Sequence, residues 1–224
     1  MGKWMTGLLS VFVLVSLSLT LISSPAEAEM YVAGQVGMNI PQSLSNVEHS
    51  HSVGGRTFDE NDQSLKSSVM YGAKLGYYFE SLKWLGVETE IFKTTPYLTQ
   101  QHVTTLGGIN FLTAPGGHLS IWTWAPANIV VRHQMGAFEP YAGIGLGFNF
   151  AKFSIDGGRS SGGGPGLNTQ LGLRYRMTTN LAFFGEWKFN HANLKYGEFM
   201  GFKGHDLSMN YNAHNVVFGV AYHF

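Results

Sequence analysis

The chain has 224 residues, a formal net charge of zero, 29 glycines, 14% aromatic residues and only 12% charged residues. That is about half the charged share of a typical soluble domain, too little to coat a water-facing surface. The length allows one or two domains. Zero net charge argues against a nucleic-acid partner. The absence of cysteine excludes disulfides, thiolate metal sites, cysteine nucleophiles and a lipidated-cysteine anchor.

Residues 1–28 read as a signal peptide. Lys3 supplies the positive start, Leu8 to Ile22 an apolar core, and Ser23, Ser24 and Pro25 break it. Ala26-Glu27-Ala28 is an A-x-A cleavage site, so the mature domain is expected to span 29–224. The apolar run is short for a retained span of roughly 20 residues, and no later stretch is long enough for a transmembrane helix. Membrane residence would therefore require a barrel.

The remaining chain repeats segments of about ten residues that alternate large apolar with small or polar side chains, as transmembrane strands do. The first, Tyr31 to Ile40, sets Val32, Val36, Met38 and Ile40 against Gln35, Gly37 and Asn39. After the polar stretch Pro41 to Ser68, the second, Val69 to Phe79, opposes Tyr71, Ala73, Leu75, Tyr77 and Phe79 to Gly72, Lys74 and Gly76. The third, Leu85 to Thr95, opposes Leu85, Val87, Thr89 and Ile91 to Glu88 and Glu90. A long segment, Pro96 to His118, leads to the fourth, Leu119 to His133. There Ile121, Thr123, Ala125, Ala127, Ile129 and Val131 are expected outside, and Asn128 and Arg132 inside. Pro126 removes a ladder hydrogen bond, so a bulge or break is expected at that point.

The fifth strand, Glu139 to Phe153, alternates Ile144, Leu146, Phe148 and Phe150 with Gly143, Gly145, Gly147 and Asn149. Ile155 to Gly166 reads as a flexible, exposed glycine-serine loop. The sixth, from Leu167, sets Thr169, Leu171, Leu173 and Tyr175 opposite Asn168, Gln170, Arg174 and Arg176. The seventh, from Leu181, sets Phe183, Trp187 and Phe189 opposite Glu186, Lys188 and Asn190. His191 to Asn212 reads as a last long connection. The eighth, His214 to Phe224, places Val216, Phe218, Val220, Tyr222 and Phe224 outside and Asn215 and His223 inside.

Eight strands with alternating long and short connections predict an all-β, antiparallel up-and-down transmembrane barrel with both termini periplasmic. Nearly every strand charge (Lys74, Glu88, Glu90, Arg132, Arg174, Arg176, Glu186, Lys188) lies opposite the large apolar residues, so the interior is polar and the outer wall lipid-facing. A soluble barrel would show the reverse. Expected interior pairs are Lys74 with Glu88 or Glu90, and Arg174 or Arg176 with Glu186; a filled interior is favoured over a polar pathway because eight strands leave room for little else.

Glu139-Pro140-Tyr141-Ala142-Gly143-Ile144-Gly145-Leu146-Gly147 resembles the E-P-Y-x-G-x-G-x-G strand of the small outer-membrane β-barrel domain family, related in architecture to OmpA- and OmpX-type barrels. Ala127 to Arg132, Gly185 to Phe189 and the closing aromatic strand fit the same family. The resemblance implies a monomer in the outer membrane, in contact with its lipid and lipopolysaccharide. It also implies recognition of Val216, Phe218, Val220, Tyr222 and Phe224 by the outer-membrane assembly machinery. It implies no particular activity.

The competing motifs fail on spacing. Gly143-x-Gly145-x-Gly147 lacks the third glycine, helix and βαβ unit of a dinucleotide site, and Gly157 to Gly166 lacks the Gly-Lys-Ser/Thr of a phosphate loop. His49 and His51, near Asp59, Glu60 and Asp62, match no ligand motif and read as a solvated loop. Phe189-Asn190-His191-Ala192-Asn193 faintly resembles the histidine strand of lipid A deacylases, but Ala192 and Asn193 follow the histidine and no serine stands within the next few residues to act as nucleophile. No catalytic, cofactor or metal set is therefore assigned. The expected role is structural support or surface interaction through four external loops. The alternative is a narrow OmpW-like channel for small hydrophobic molecules, with Ile109-Asn110-Phe111-Leu112 lining its entrance or extending strands above the membrane. With the chain ending on Phe224, no peptidoglycan-binding domain is expected.

Overall fold

The computed structural model describes residues 29–42, 45–49, 64–99, 101–104, 110–114, 116–155, 158–199 and 202–224. The signal segment with Ala26 and Ala28 lies outside them, as do His51, Asp59, Glu60, Asp62 and Ile109.

Eight strands form the wall: β1 (Glu29–Pro41), β2 (Ser68–Tyr78), β3 (Leu85–Thr94), β4 (Gly117–Arg132), β5 (Phe138–Ile155), β6 (Gly158–Arg176), β7 (Leu181–Phe199) and β8 (Phe202–His223). Each pairs antiparallel with its sequence neighbours, and β8 pairs back onto β1 from Tyr31↔His223 to Pro41↔Ala213, so the barrel is closed and has no free edge. One row of partners runs from Ile40 through His214, Phe189, Thr169, Ile144, Ile129, Val87 and Tyr77 to Met30, ten residues lower on the strand where it began. This stagger tilts the strands by about 40° to the axis.

The connections at the end bearing the termini are short. In the turn before β5, Met135 and Phe138 bridge and Gly136 adopts φ 64°, a left-handed conformation that glycine enters without a Cβ penalty. The outer wall carries Trp84, Phe138, Tyr175, Tyr222 and Phe224 at this end and Trp122, Trp124, Phe148 and Phe150 toward the other, all well exposed. From Phe138 to Phe148, ten residues at about 3.3 Å tilted by about 40° give a band roughly 25 Å tall, the height of an apolar membrane slab.

The proline expectation holds and has a consequence for the faces. Glu88 pairs with Asn128 but Glu90 with Ala125, and Leu146 pairs with Ala127 but Phe148 with Trp124, so β4 bulges at Pro126. The bulge inverts the alternation above it. Ile121, Thr123 and Ala125, expected outside, are buried within the barrel, while Trp122 and Trp124 take the lipid face. Ala127, Ile129 and Val131 remain outside.

Two expected loops are instead wall. Ile155 to Gly166 continues the β5–β6 ladder without interruption to Ile155↔Gly158. Glycine permits the close approach: a Cβ on Gly164 would stand 1.9 Å from the Asn193 carbonyl oxygen, and one on Gly163 2.2 Å from that of Asn149. His191 to Asn212 likewise continues β7 and β8, with Leu194 opposite Met209. Both hairpins rise beyond the membrane band at the end away from the termini. Ser45–His49 adds to β8, Leu65–Lys66 pairs with Tyr97–Leu98 beside β4, and Gln101–Thr104 pairs with Asn110–Ala114 in a separate hairpin. The Asn110-Phe111-Leu112 backbone thus extends strand structure.

Close packing of the inner wall also yields a stability expectation. A Cβ on Gly145 would meet Asn128 Oδ1 at 2.2 Å and the Ala127 carbonyl at 2.4 Å, beside the bulge. Because a backbone atom blocks it, Gly145→Ala is expected to cost about 1–3 kcal/mol, read as a lowered midpoint of denaturant unfolding in micelles.

Candidate functional site

Alternation along each strand turns every second residue inward, and the polar groups among these stack in three levels. Nearest the termini, Arg132, Arg174 and Arg176 gather around Glu139 and Glu29. Glu139 accepts from Arg174 at 2.5 Å, Arg176 at 3.0 Å and Arg132 at 3.2 Å. Glu29 pairs with Arg132 at 2.6 Å and with Arg176, and His223 Nδ1 lies 2.5 Å from it. The Arg174 guanidinium lies 4.6 Å from the Tyr31 ring centre and 5.1 Å from that of Tyr141, and Arg132 is 3.5 Å from that of Tyr78. Aromatic faces thus share the charge with the carboxylates.

At mid-height the composition inverts to two lysines and three glutamates. Lys74 donates to both Glu186 oxygens, at 2.7 and 3.0 Å, and lies 3.4 Å from Glu88. Lys188 pairs with Glu90 and with Glu186 at 3.0 Å. The surplus carboxylate is solvated by neutral donors: Tyr31 and Gln170 (2.9 Å) donate to Glu88, Gln35 (2.5 Å) and Asn168 (3.1 Å) to Glu90, and Tyr141 (2.8 Å) to Glu186. Above runs an asparagine relay: Asn39 donates to Asn215, Asn215 to Asn190, Asn190 to Asn168 and Asn168 to Asn128, at 2.6–3.1 Å.

Beyond the relay the interior turns apolar. Leu119, Ile121, Ala151, Ala192, Leu194, Tyr196, Met209, Tyr211 and Ala213 form a buried cluster, closed by Leu65 and Leu98 from the short strands beside the wall. Taken together the inward cations and carboxylates of the described residues number five each and cancel.

The eight charges singled out in the sequence all face the interior, seven of them buried and Arg176 partly so. Their pairing differs in one respect. Arg174 and Arg176 meet Glu139, and Glu186 is taken by the two lysines. The reason is height: Arg174 stands directly opposite Glu139, whereas Glu186 faces Gly172. Sequence reasoning missed Glu139 and Glu29 as network members. The signal for Glu139 is parity, since it shares a face with Tyr141 and Gly143; Glu29 sits at the edge of the segment assigned to cleavage. On the outer wall, Val216, Phe218, Val220, Tyr222 and Phe224 are all exposed, and the Phe224 amide donates to the Met30 carbonyl at 2.9 Å. His191 Nδ1 lies 2.7 Å from Asn212 Oδ1 rather than beside a hydroxyl nucleophile. Among the described residues no group of three or more His, Asp or Glu side chains is placed to hold a metal.

A closed eight-stranded barrel, charged and hydrogen-bonded within and apolar without, is a transmembrane β-barrel. A family model described as outer membrane protein β-barrel domain matches residues 12–224, and the chain belongs to that family and to the outer membrane. An uncharacterized protein of Brucella abortus (strain 2308) is 23% identical over 147 residues, covering 59% of this chain and 52% of the relative. The chain thus spans about half the length of the curated relatives it matches. Among solved structures, Neisserial surface protein A is 15% identical with a TM-score of 0.57, over 86% of this chain and 96% of that one. OprG of Pseudomonas aeruginosa is 14% identical at 0.55, over 88% and 96%. The attachment invasion locus protein Ail of Yersinia pestis, bound to the heparin analogue sucrose octasulfate, is 16% identical at 0.50, over 88% and 99%. These likenesses show a shared fold.

Proposed function

We propose that the protein is a non-enzymatic, non-conducting barrel whose role is structural and adhesive, exercised through the strand hairpins that rise beyond the membrane band. The observation that carries this reading is the filled interior. Arg174, Lys188, Glu88 and Glu90 are at most 2% exposed, neutralised by partners on the inner wall, and capped by an apolar cluster. Opening a path would strand buried charges at several kcal/mol each. The termini face the periplasm in this reading, after removal of residues 1–28, and the β5–β6 and β7–β8 hairpins face the exterior. The monomeric barrel is delivered by the assembly machinery acting on the closing strand.

In planar bilayers the purified protein is expected to give no reproducible conductance step. A discrete, reproducible step would replace this reading with that of a channel for small molecules. Incubation with lipid A is expected to leave its mass unchanged. Cells bearing the full chain are expected to bind host or matrix surfaces better than cells in which the two hairpins are cut back to the membrane band; equal binding would remove the adhesive role.

A further inference from the structure

One titratable side chain of the lumen stands outside its charge balance. The inward cations and carboxylates of the described residues, five of each, cancel with His223 uncharged. The His223 ring is buried at the lower end of β8. Its Nδ1 lies 2.5 Å from Glu29, the Tyr31 ring centre is 5.2 Å away, and Nε2 has no hydrogen-bond partner among the described residues. The backbone here is fastened on two sides. His223 stands opposite Tyr31 of β1, its amide donates to the Asn180 carbonyl at 2.7 Å, and the Asn180 side chain donates back to the His223 carbonyl at 2.8 Å. The Phe224 amide then donates to Met30. His223 therefore joins β8, β1 and the β6–β7 turn at the point where the barrel closes.

The groups around the imidazole leave no place for another cation. To this end of the lumen β1 brings Glu29 and Tyr31, β2 Tyr78, β4 Arg132, β5 Glu139 and Tyr141, and β6 Arg174 and Arg176, while β3 and β7 bring Gly86 and Ala182. Three guanidiniums thus meet two carboxylates. Glu29, the carboxylate beside the imidazole, is already shared by Arg132 and Arg176, and Glu139 by all three arginines. A protonated His223 would be a fourth cation facing two negative charges, in a site from which most water is excluded. In an unfolded chain the same imidazole takes up a proton freely below about pH 6.5. Acid therefore favours states in which His223 has left this site.

We propose that His223 is an acid-sensitive latch on the barrel seam. Uncharged, it fastens the lower end of β8 to β1 and to the β6–β7 turn. Protonated, it is expelled from among the arginines, and the lower ends of β1 and β8 part while the ladder joining β4, β5 and β6 holds. The latch responds to pH on whichever side of the membrane the termini face, so it does not rest on the assignment of the hairpins to the cell exterior.

The test compares the full chain in micelles at about pH 7 and about pH 5, on either side of the ordinary imidazole range, by amide hydrogen exchange corrected for the pH dependence of intrinsic exchange. In acid the His223 and Phe224 amides are expected to lose protection roughly tenfold or more. Amides around the Ile144↔Ile129 pair of β5 and β4 are expected to keep theirs. His223→Gln, which keeps a neutral donor at the position, is expected to abolish the acid-induced loss. His223→Lys, charged at both pH values, is expected to show the loss already at neutral pH. His133→Gln, at an exposed histidine of the β4–β5 turn, is expected to respond as the wild type does. Seam protection indifferent to pH, an acid-induced loss that persists in His223→Gln, or a loss of equal size in β4 and β5 overturns the proposal. So does a glutamine variant whose seam is unprotected at neutral pH, because a neutral donor would then not suffice to hold it.

Discussion

Glu186→Gln is expected to lower the unfolding free energy of the barrel by about 3–5 kcal/mol. Glu186 is the hub of the middle level, accepting from Lys74 at 2.7 and 3.0 Å, from Lys188 at 3.0 Å and from Tyr141 at 2.8 Å. The substitution changes no volume, so the loss is electrostatic. Lys74 keeps only Glu88 at 3.4 Å and the Gln170 amide oxygen at 3.0 Å, deep in a wall bounded by lipid. Guanidinium unfolding in micelles, followed by tryptophan fluorescence and by heat-dependent gel mobility, reads the change. Adding Lys74→Met is expected to cost less than the sum of the two single changes, because the stranded cation leaves with its partner. An unchanged midpoint accompanied by a new conductance would mean that these charges line a pathway rather than fill a lumen.

How much of this level is visible in the sequence follows from one fact, the period of two. Wherever the wall is regular, parity alone places a residue inside or outside, and Lys74, Glu88, Glu90, Gln170, Arg174, Glu186 and Lys188 are each found on the face that parity assigns. Parity fails where it is interrupted: one extra residue at Pro126 exchanges Ile121 and Thr123 for Trp122 and Trp124. Pairing among the inward charges is a different matter, because it depends on the register between strands and not on the alternation along any one of them. That is why the sequence pairs Arg174 with Glu186, whereas Glu139 is the carboxylate that stands opposite it. The glycine-serine stretch misleads for a third reason. Its composition is that of a flexible linker, while its lack of side chains lets the neighbouring strands approach closely. Only the neighbouring strand decides between the two.

Glu139→Gln is expected to be as costly as Glu186→Gln, about 3–5 kcal/mol, and more costly than Glu29→Gln. Glu139 is the carboxylate common to Arg132, Arg174 and Arg176, and its side chain is 2% exposed. Without it Arg174 loses its carboxylate, Arg132 and Arg176 are left with Glu29, and the Tyr31, Tyr78 and Tyr141 rings offset only part of the repulsion among the three guanidiniums. Glu29 serves Arg132 and Arg176 from the rim, where its side chain is 19% exposed and water replaces part of what it provides. The ordering distinguishes two ways of closing the lower mouth. If Glu139 dominates, the level is set by the register of β4, β5 and β6, and it forms with the hairpins themselves. If Glu29→Gln costs as much or more in the same unfolding measurement, closure depends on the first strand reaching across the lumen. The lower level would then assemble only after β1 and β8 have met.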